Sequence, residues 1–157
     1  MSMVPLQFKL NGEDRAEFVG GGATLLSVLR GKINMMSPKG GCGQGGCGCC
    51  TVLIDGEPHL SCLTLAVTCE GKSVETLEGI GNEVNLHPLQ KAFMEHFAAQ
   101  CGYCTPGMIM AAKALLDKNA NPTREDVIDA LGGNVCRCTG YEPIVQAVLS
   151  AASQGGR

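Results

Sequence analysis

Tryptophan is absent from this 157-residue chain, and aromatic residues make up only 4% of it. Charged residues are also sparse, at 17%, yet 45% of the residues are hydrophobic, so a packed core is expected and wholesale disorder is excluded. No apolar run approaches the roughly 18 residues of a membrane span. Residues 1–10 lack the basic start, long apolar stretch and small-residue cleavage site of an export signal. A cytoplasmic protein without a transmembrane segment is therefore expected. Lys and Arg are not in excess: the net charge is -3, and phosphate binding needs clustered cations, so nucleic acid is not an expected partner. No Ser-His-Asp or Cys-His arrangement and no carboxylate pair stands out, so no substrate-converting residue is expected here. Against these shortages stand ten cysteines and 22 glycines, the latter about twice the roughly 7% average usage. Without an export signal, so many cysteines point to metal ligands or redox groups before disulfides.

The first half has strand signals. Residues 6–10 and 17–19 flank Asn11-Gly12, a favoured hairpin turn pair. Residues 24–30 (TLLSVLR) suit a short helix capped by Thr24. Residues 51–54 and 59–63 form a second hairpin candidate around Asp55-Gly56-Glu57-Pro58, and 73–77 suit a last strand. A small mixed sheet with a helix packed across it is expected. The second half has helical periodicity: Leu89, Phe93 and Phe97; then Met108, Ile109, Ala112, Leu115 and Leu116; then Val127, Ile128 and Leu131; then Ile144, Val145, Val148 and Leu149. Thr105-Pro106, Thr123 with Asp126, and Thr139 with Glu142 read as three helix starts. Four helices with short connections suggest a small bundle. The stretch 78–85, containing Gly and Asn, divides the chain into domains 1–79 and 80–157.

Residues 40–50 read GGCGQGGCGCC. Cys42, Cys47 and Cys50 are spaced C-x4-C-x2-C, and Cys62 follows after eleven intervening residues, the plant-type ferredoxin spacing for a [2Fe–2S] cluster. The glycines suit it, because a loop around sulfide must avoid side chains, visit positive φ and turn N–H groups toward negatively charged sulfur. A formal G-x-G-x-x-G match beginning at Gly41 lacks the following helix of a dinucleotide site. Zinc is the competing occupant, since four thiolates suit it too. A second set follows: Cys101-Gly-Tyr-Cys104, then Cys136-Arg-Cys138. Each pair precedes an expected helix start, where free N–H groups and the positive dipole end favour thiolates. Two disulfides or a zinc site are the alternatives. Both tyrosines, Tyr103 and Tyr141, lie beside these cysteines, in a position either to pack over a cluster or to fill the core.

The combined pattern C-x4-C-G-x-C-x11-C, QCGYCTPGM and GGNxCRCTGY resembles the small iron–sulfur subunit of the molybdenum hydroxylases, the xanthine oxidase family, from about Leu6 to Ala151. The resemblance implies an α+β chain, with an N-terminal β-grasp ferredoxin-like domain followed by a C-terminal four-helix bundle, each holding one [2Fe–2S] cluster. It implies Cys42, Cys47, Cys50 and Cys62 as ligands of the first cluster and Cys101, Cys104, Cys136 and Cys138 of the second. Gln100 matches the family glutamine that hydrogen-bonds a molybdopterin cofactor, and Cys138 a ligand whose neighbourhood contacts it. The implied partners are a large molybdopterin-binding subunit and a medium FAD-binding subunit, in a heterotrimer or its dimer. Electrons would pass from molybdenum through both clusters to flavin, making the chain the electron-transfer subunit of an oxidoreductase. A free-standing two-cluster ferredoxin is the alternative.

Cys49 stands where the family often has a small residue; the x2 and x11 spacings select Cys50, and a ligand slipped to Cys49 is the alternative. Residues 31–39 also depart from the commoner family loop. Cys69, in an apolar strand-like stretch, reads as a buried thiol. His59, His87 and His96 share no spacing with the cysteines and read as structural or surface groups, and Arg137 as a cluster counter-charge or a surface residue. Met35, Met36, Met108 and Met110 read as core, and Lys72, Lys91, Lys113 and Lys118 as solvated.

Overall fold

A computed structural model describes residues 3–155. It is an α+β structure of one five-stranded mixed sheet and six α-helices. Strands β1 (Met3–Leu10) and β2 (Glu13–Gly20) form an antiparallel hairpin closed by Asn11 and Gly12, both at positive φ (53° and 85°). This is the backbone hand that matches strand twist in a two-residue turn. Alternation along β1 sends Leu6, Phe8 and Leu10 into the core. Helix α1 (Leu25–Gly31) starts at Thr24, whose hydroxyl accepts from the Ser27 amide (3.2 Å), and contributes Leu25, Val28 and Leu29 to the same core.

Strands β3 (Thr51–Ile54), β4 (Glu57–Leu60) and β5 (Ser73–Glu75) complete a sheet of order β2-β1-β5-β3-β4, in which β1 and β5 run parallel. The second hairpin is tighter than expected. Asp55 and Gly56 take φ of 52° and 82°, so the turn needs two residues and the returning strand begins at Glu57 instead of His59. Pro58 is tolerated there because β4 is an edge strand. Leu63 falls outside the strand and is exposed. The last strand stops at Glu75, since Thr76 leads into a short helix, α2 (Leu77–Ile80). Cys69 is fully buried as expected, but in a 3-10 turn (Ala66–Cys69) and not a strand.

Helices α3 (Pro88–Glu95), α4 (Thr105–Lys118), α5 (Arg124–Leu131) and α6 (Glu142–Ser153) enclose a second core built on Leu89, Phe93, Met108, Val127, Ile144 and Val148. Phe97 departs from the expected face. The α3 helix ends before it, and Phe97 takes φ 51° while its amide bonds to Met94 O and that of Ala98 to Phe93 O. That is a Schellman ending with phenylalanine in the left-handed position usually given to glycine, and it turns the ring out to solvent. Ile128 is likewise exposed, as is Met36. Lys113 is not simply solvated: its ammonium pairs with Glu75 (3.3 Å) and Asp117 (2.6 Å). Burial works against its charge, but these carboxylates raise its pKa above the usual value.

A third, smaller core joins the halves. Leu53 of β3 packs against Met110 and Ala114 of α4, with Leu77 and Ile80 alongside. Among the described residues, no helix is long and apolar enough to cross a membrane.

Candidate metal centres

The loop 40–50 reaches β3 through left-handed turns at Gly43, Gly45 and Gly48. Gly41 has no room for a side chain, because a Cβ there would lie 2.8 Å from Cys47 Sγ. The Gly46 amide donates to Cys42 Sγ (3.2 Å). Amide donation from Gln44 chiefly, then the nearby Cys47 thiol, draws the Cys42 thiol down to about 7 against the opposing effect of burial, with the Gly46 and Cys47 amides assisting. This is a cradle of N–H groups around sulfur, the environment a thiolate needs. The sulfurs lie close together: Cys42 and Cys49 are both within hydrogen-bonding reach of Cys47, and Cys62 of Cys50. Burial, then the Cys50 sulfur, pushes the Cys62 thiol up, while the Gly45 amide pulls the other way.

Cys49 differs from its neighbours. It is 6% exposed and packs into the helical core, with Sγ 3.8 Å from Cys47 O. Burial first, then the surrounding sulfurs, pushes it up to about 12.

In the second set Cys104 and Cys136 are buried neighbours, whereas Cys101 and Cys138 are exposed. Burial and then the Cys136 sulfur push Cys104 up to about 12. Cys136 goes the other way. Burial opposes its ionisation, but the Thr139 hydroxyl, 3.2 Å from Sγ, and the Thr139 and Cys138 amides outweigh it. Two expected caps are corrected here. Cys104 itself occupies the cap of α4, with Thr105 in the first turn and its hydroxyl buried without a partner. The cap of α6 is Tyr141, at φ 69°, and Thr139 Oγ1 accepts from the Tyr141 amide (3.2 Å) instead of capping the helix. The threonine is occupied by the cysteine loop, so it does not serve the helix.

The tyrosines tie the loops together. Tyr103 OH donates to Gly40 O (3.0 Å), and the Cys136 amide donates to Tyr141 OH (3.0 Å). Gln100 and Arg137 are exposed beside the second set. None of the histidines joins the cysteines as an expected ligand: His59 is exposed on β4, His96 ends α3, and His87 caps α3 by accepting from the Leu89 amide (3.2 Å). Among the described residues, no three Cys, His, Asp or Glu side chains converge on a single-ion site.

A contact that cysteine spacing does not reveal joins the two sets. Asn134 is buried and donates from Nδ2 to Gly48 O (3.0 Å), while the Val135 amide donates to Cys47 O (2.9 Å). Gly107 of α4 lies against this junction, where a Cβ would collide with Gly48 O. The only sequence sign was the Gly-Gly-Asn run before Cys136, which has no periodicity or ligand chemistry of its own.

Residues 8–75 match the family described as a 2Fe-2S iron-sulfur cluster binding domain, and residues 76–149 that described as a [2Fe-2S] binding domain. The nicotine 6-hydroxylase small subunit of Paenarthrobacter nicotinovorans is 47% identical over 153 residues, 98% of this chain and 92% of the relative. Quinoline 2-oxidoreductase from Pseudomonas putida 86 superposes with a TM-score of 0.93 at 42% identity, covering 98% of this chain and 96% of that one. The aldehyde oxidoreductase from Desulfovibrio desulfuricans ATCC 27774 gives 0.94 at 48% identity, covering 96% of this chain but 17% of its own.

Proposed function

The chain belongs to the family of small iron–sulfur subunits of the molybdenum hydroxylases, the xanthine oxidase family, and on that premise we propose that it relays electrons through two [2Fe–2S] centres. The first centre is held by Cys42, Cys47, Cys50 and Cys62, and the second by Cys101, Cys104, Cys136 and Cys138. The observation that carries this is the gathering of each cysteine set at one loop junction, where Cys42 approaches Cys47, Cys62 approaches Cys50 and Cys104 approaches Cys136, with Cys49 also beside Cys47. A binuclear cluster takes two thiolates on each iron, whereas one zinc ion draws four to a point. When bound, each cluster supplies a one-electron redox centre.

The chain's own contribution is electrostatic. Amides of Gln44, Gly46 and Cys47 face Cys42, and those of Cys138 and Thr139 face Cys136. Donors aimed at sulfur favour the more negative, reduced state and so raise the potential. Burial of Cys50, Cys104 and Cys136 keeps water from that side of each centre. In this reading the N-terminal half is a β-grasp ferredoxin-like domain, about residues 1–79, and the remainder a four-helix bundle around the second centre. Gln100 and Cys138 are both exposed, as groups that reach a molybdopterin on another chain must be. The partners are a large molybdopterin subunit and a medium FAD subunit, in a heterotrimer or its dimer. Nothing on this chain converts substrate.

Purified protein tests the proposal. The expected result is a brown solution whose visible absorption bleaches with dithionite, with about four irons per chain, two for each centre. A colourless, zinc-loaded chain would overturn it. Isolation from the native host should bring down a molybdenum-containing partner. A chain that carries its iron but no partner is a free ferredoxin, and that result overturns the subunit assignment.

A further inference from the structure

Cys47 and Cys136 belong to different cysteine sets, yet only one hydrogen bond and one intervening residue separate their backbones. The bond is from the Val135 amide to Cys47 O (2.9 Å), and Val135 is followed directly by Cys136. Asn134 holds this contact in place. Its own amide donates to Leu131 O (2.8 Å), anchoring it to the end of α5. Its side chain crosses to the other loop, donating to Gly48 O (3.0 Å) and lying 3.5 Å from Thr51 Oγ1. Gly48 O also accepts from the Thr51 amide (3.1 Å) and hydroxyl (2.7 Å), so it is fixed from three sides. The approach leaves no slack. A Cβ on Gly48 would lie 2.5 Å from Gly133 O and 2.6 Å from Asn134 Nδ2. A buried amide side chain is costly to keep unless it makes its hydrogen bonds, and this one spends its donor on the junction.

Electron tunnelling weakens less through bonded atoms than across a gap, so a maintained hydrogen bond between two metal-holding loops is a route. We propose that Asn134 is a positioning residue for electron transfer between the two cysteine sets. By clamping Gly48 it keeps the Val135–Cys47 hydrogen bond made, and that bond carries the electron. The inference rests on the assignment of a binuclear iron–sulfur centre to each set. One ferrous iron at the second centre becomes ferric and one ferric iron at the first becomes ferrous; no proton moves and no covalent bond changes. The competing route is through space by way of the Cys49 thiol, which shares the helical core with Cys104 and lies 3.8 Å from Cys47 O.

Pulse radiolysis of the iron-loaded full chain, following redistribution of a single electron between the centres, distinguishes the routes. Asn134→Ala and the isosteric Asn134→Asp should retain the iron content and both EPR signals of the unaltered chain. Redistribution in both should slow by roughly 10- to 100-fold, the range lost when an outer partner of a metal site is removed. Cys49→Ala should leave the rate unchanged. Amide exchange, read by mass spectrometry on the peptide carrying Val135, should be slow in the unaltered chain and faster in both Asn134 variants. An unchanged rate in iron-replete Asn134 variants overturns the proposal, as does slowing confined to Cys49→Ala. Should both Asn134 variants lose iron, exchange in the unaltered chain decides: a protected Val135 amide supports the proposal and a freely exchanging one overturns it. An unaltered chain that binds no iron fails the functional assignment instead, a result read before any variant is made.

Discussion

Cys49 and Cys50 are adjacent, both buried, and turned to different work. Cys50 lies within reach of Cys62, while Cys49 packs among helical residues and is pushed up to about 12 by burial and neighbouring sulfur. The two-residue spacing from Cys47 and the approach to Cys62 both favour Cys50, while Cys49, which also lies beside Cys47, has no such second partner across the hairpin. Cys50→Ser should therefore abolish the first centre while Cys49→Ser keeps it, as read by iron content and EPR on each variant. The reverse outcome would move the ligand register by one residue. At this scale the grouping of the cysteines was legible from their spacing, and the fold does bring Cys42 near Cys47 and Cys62 near Cys50. The roles of Thr105 and Thr139 were not. A threonine before a helix signals a cap only if nothing else needs its hydroxyl, and Thr139 is taken by Cys136 and the Tyr141 amide.

Among the elements, α5 shows what local sequence does determine. Thr123 and Asp126 form the expected reciprocal capping box, with Thr123 Oγ1 accepting from the Asp126 amide (3.2 Å) and Asp126 Oδ2 from the Thr123 amide (2.8 Å). Thr123→Ala should cost about 1 kcal/mol, measurable as a lower urea midpoint with an unchanged slope. The start of α6 is fixed differently, by a surface pair. Arg124 donates to both oxygens of Glu142 (3.1 and 2.5 Å). That pairing, with Gln146 second, holds the Glu142 carboxyl down to about 2 against its usual 4.5. A lowered folded value means the stabilisation is complete above about 4.5 and fades as pH falls toward about 2. Glu142→Gln should consequently lose stability relative to the unaltered chain at neutral pH and converge with it near pH 2, and added salt should narrow the gap. Denaturant midpoints across that range check the sign. Periodicity revealed α3 to α6 but missed where α3 ends, because a Schellman ending through Phe97 lacks the glycine that usually announces it.

For the molecule as a whole, the two halves share a wall more than they meet at a linker. Leu53 contacts Met110 and Ala114, Tyr103 bonds to Gly40, and Gly107 fits against Gly48 with no space for a methyl group. Gly107→Ala should therefore cost about 1–3 kcal/mol by overpacking. It should also expose the loop 40–50 to limited proteolysis, an effect that the helix-favouring change itself would not cause. The sheet and the helices could each be read from turn pairs and apolar periodicity. Their junction could not, because Gly48, Gly107 and Asn134 lie 86 residues apart at the extremes and none carries a pattern.

That distance in sequence has a temporal meaning for a chain made from its N-terminus. The loop 40–50 leaves the ribosome long before Asn134 is synthesised, and until then the Gly48 carbonyl lacks the Asn134 donor and Cys47 O lacks the Val135 amide. A chain that ends between Cys62 and Asn134 thus carries every cysteine of the first set but none of the lock that closes over it. The junction over that set is completed only when the last third of the polypeptide has been made.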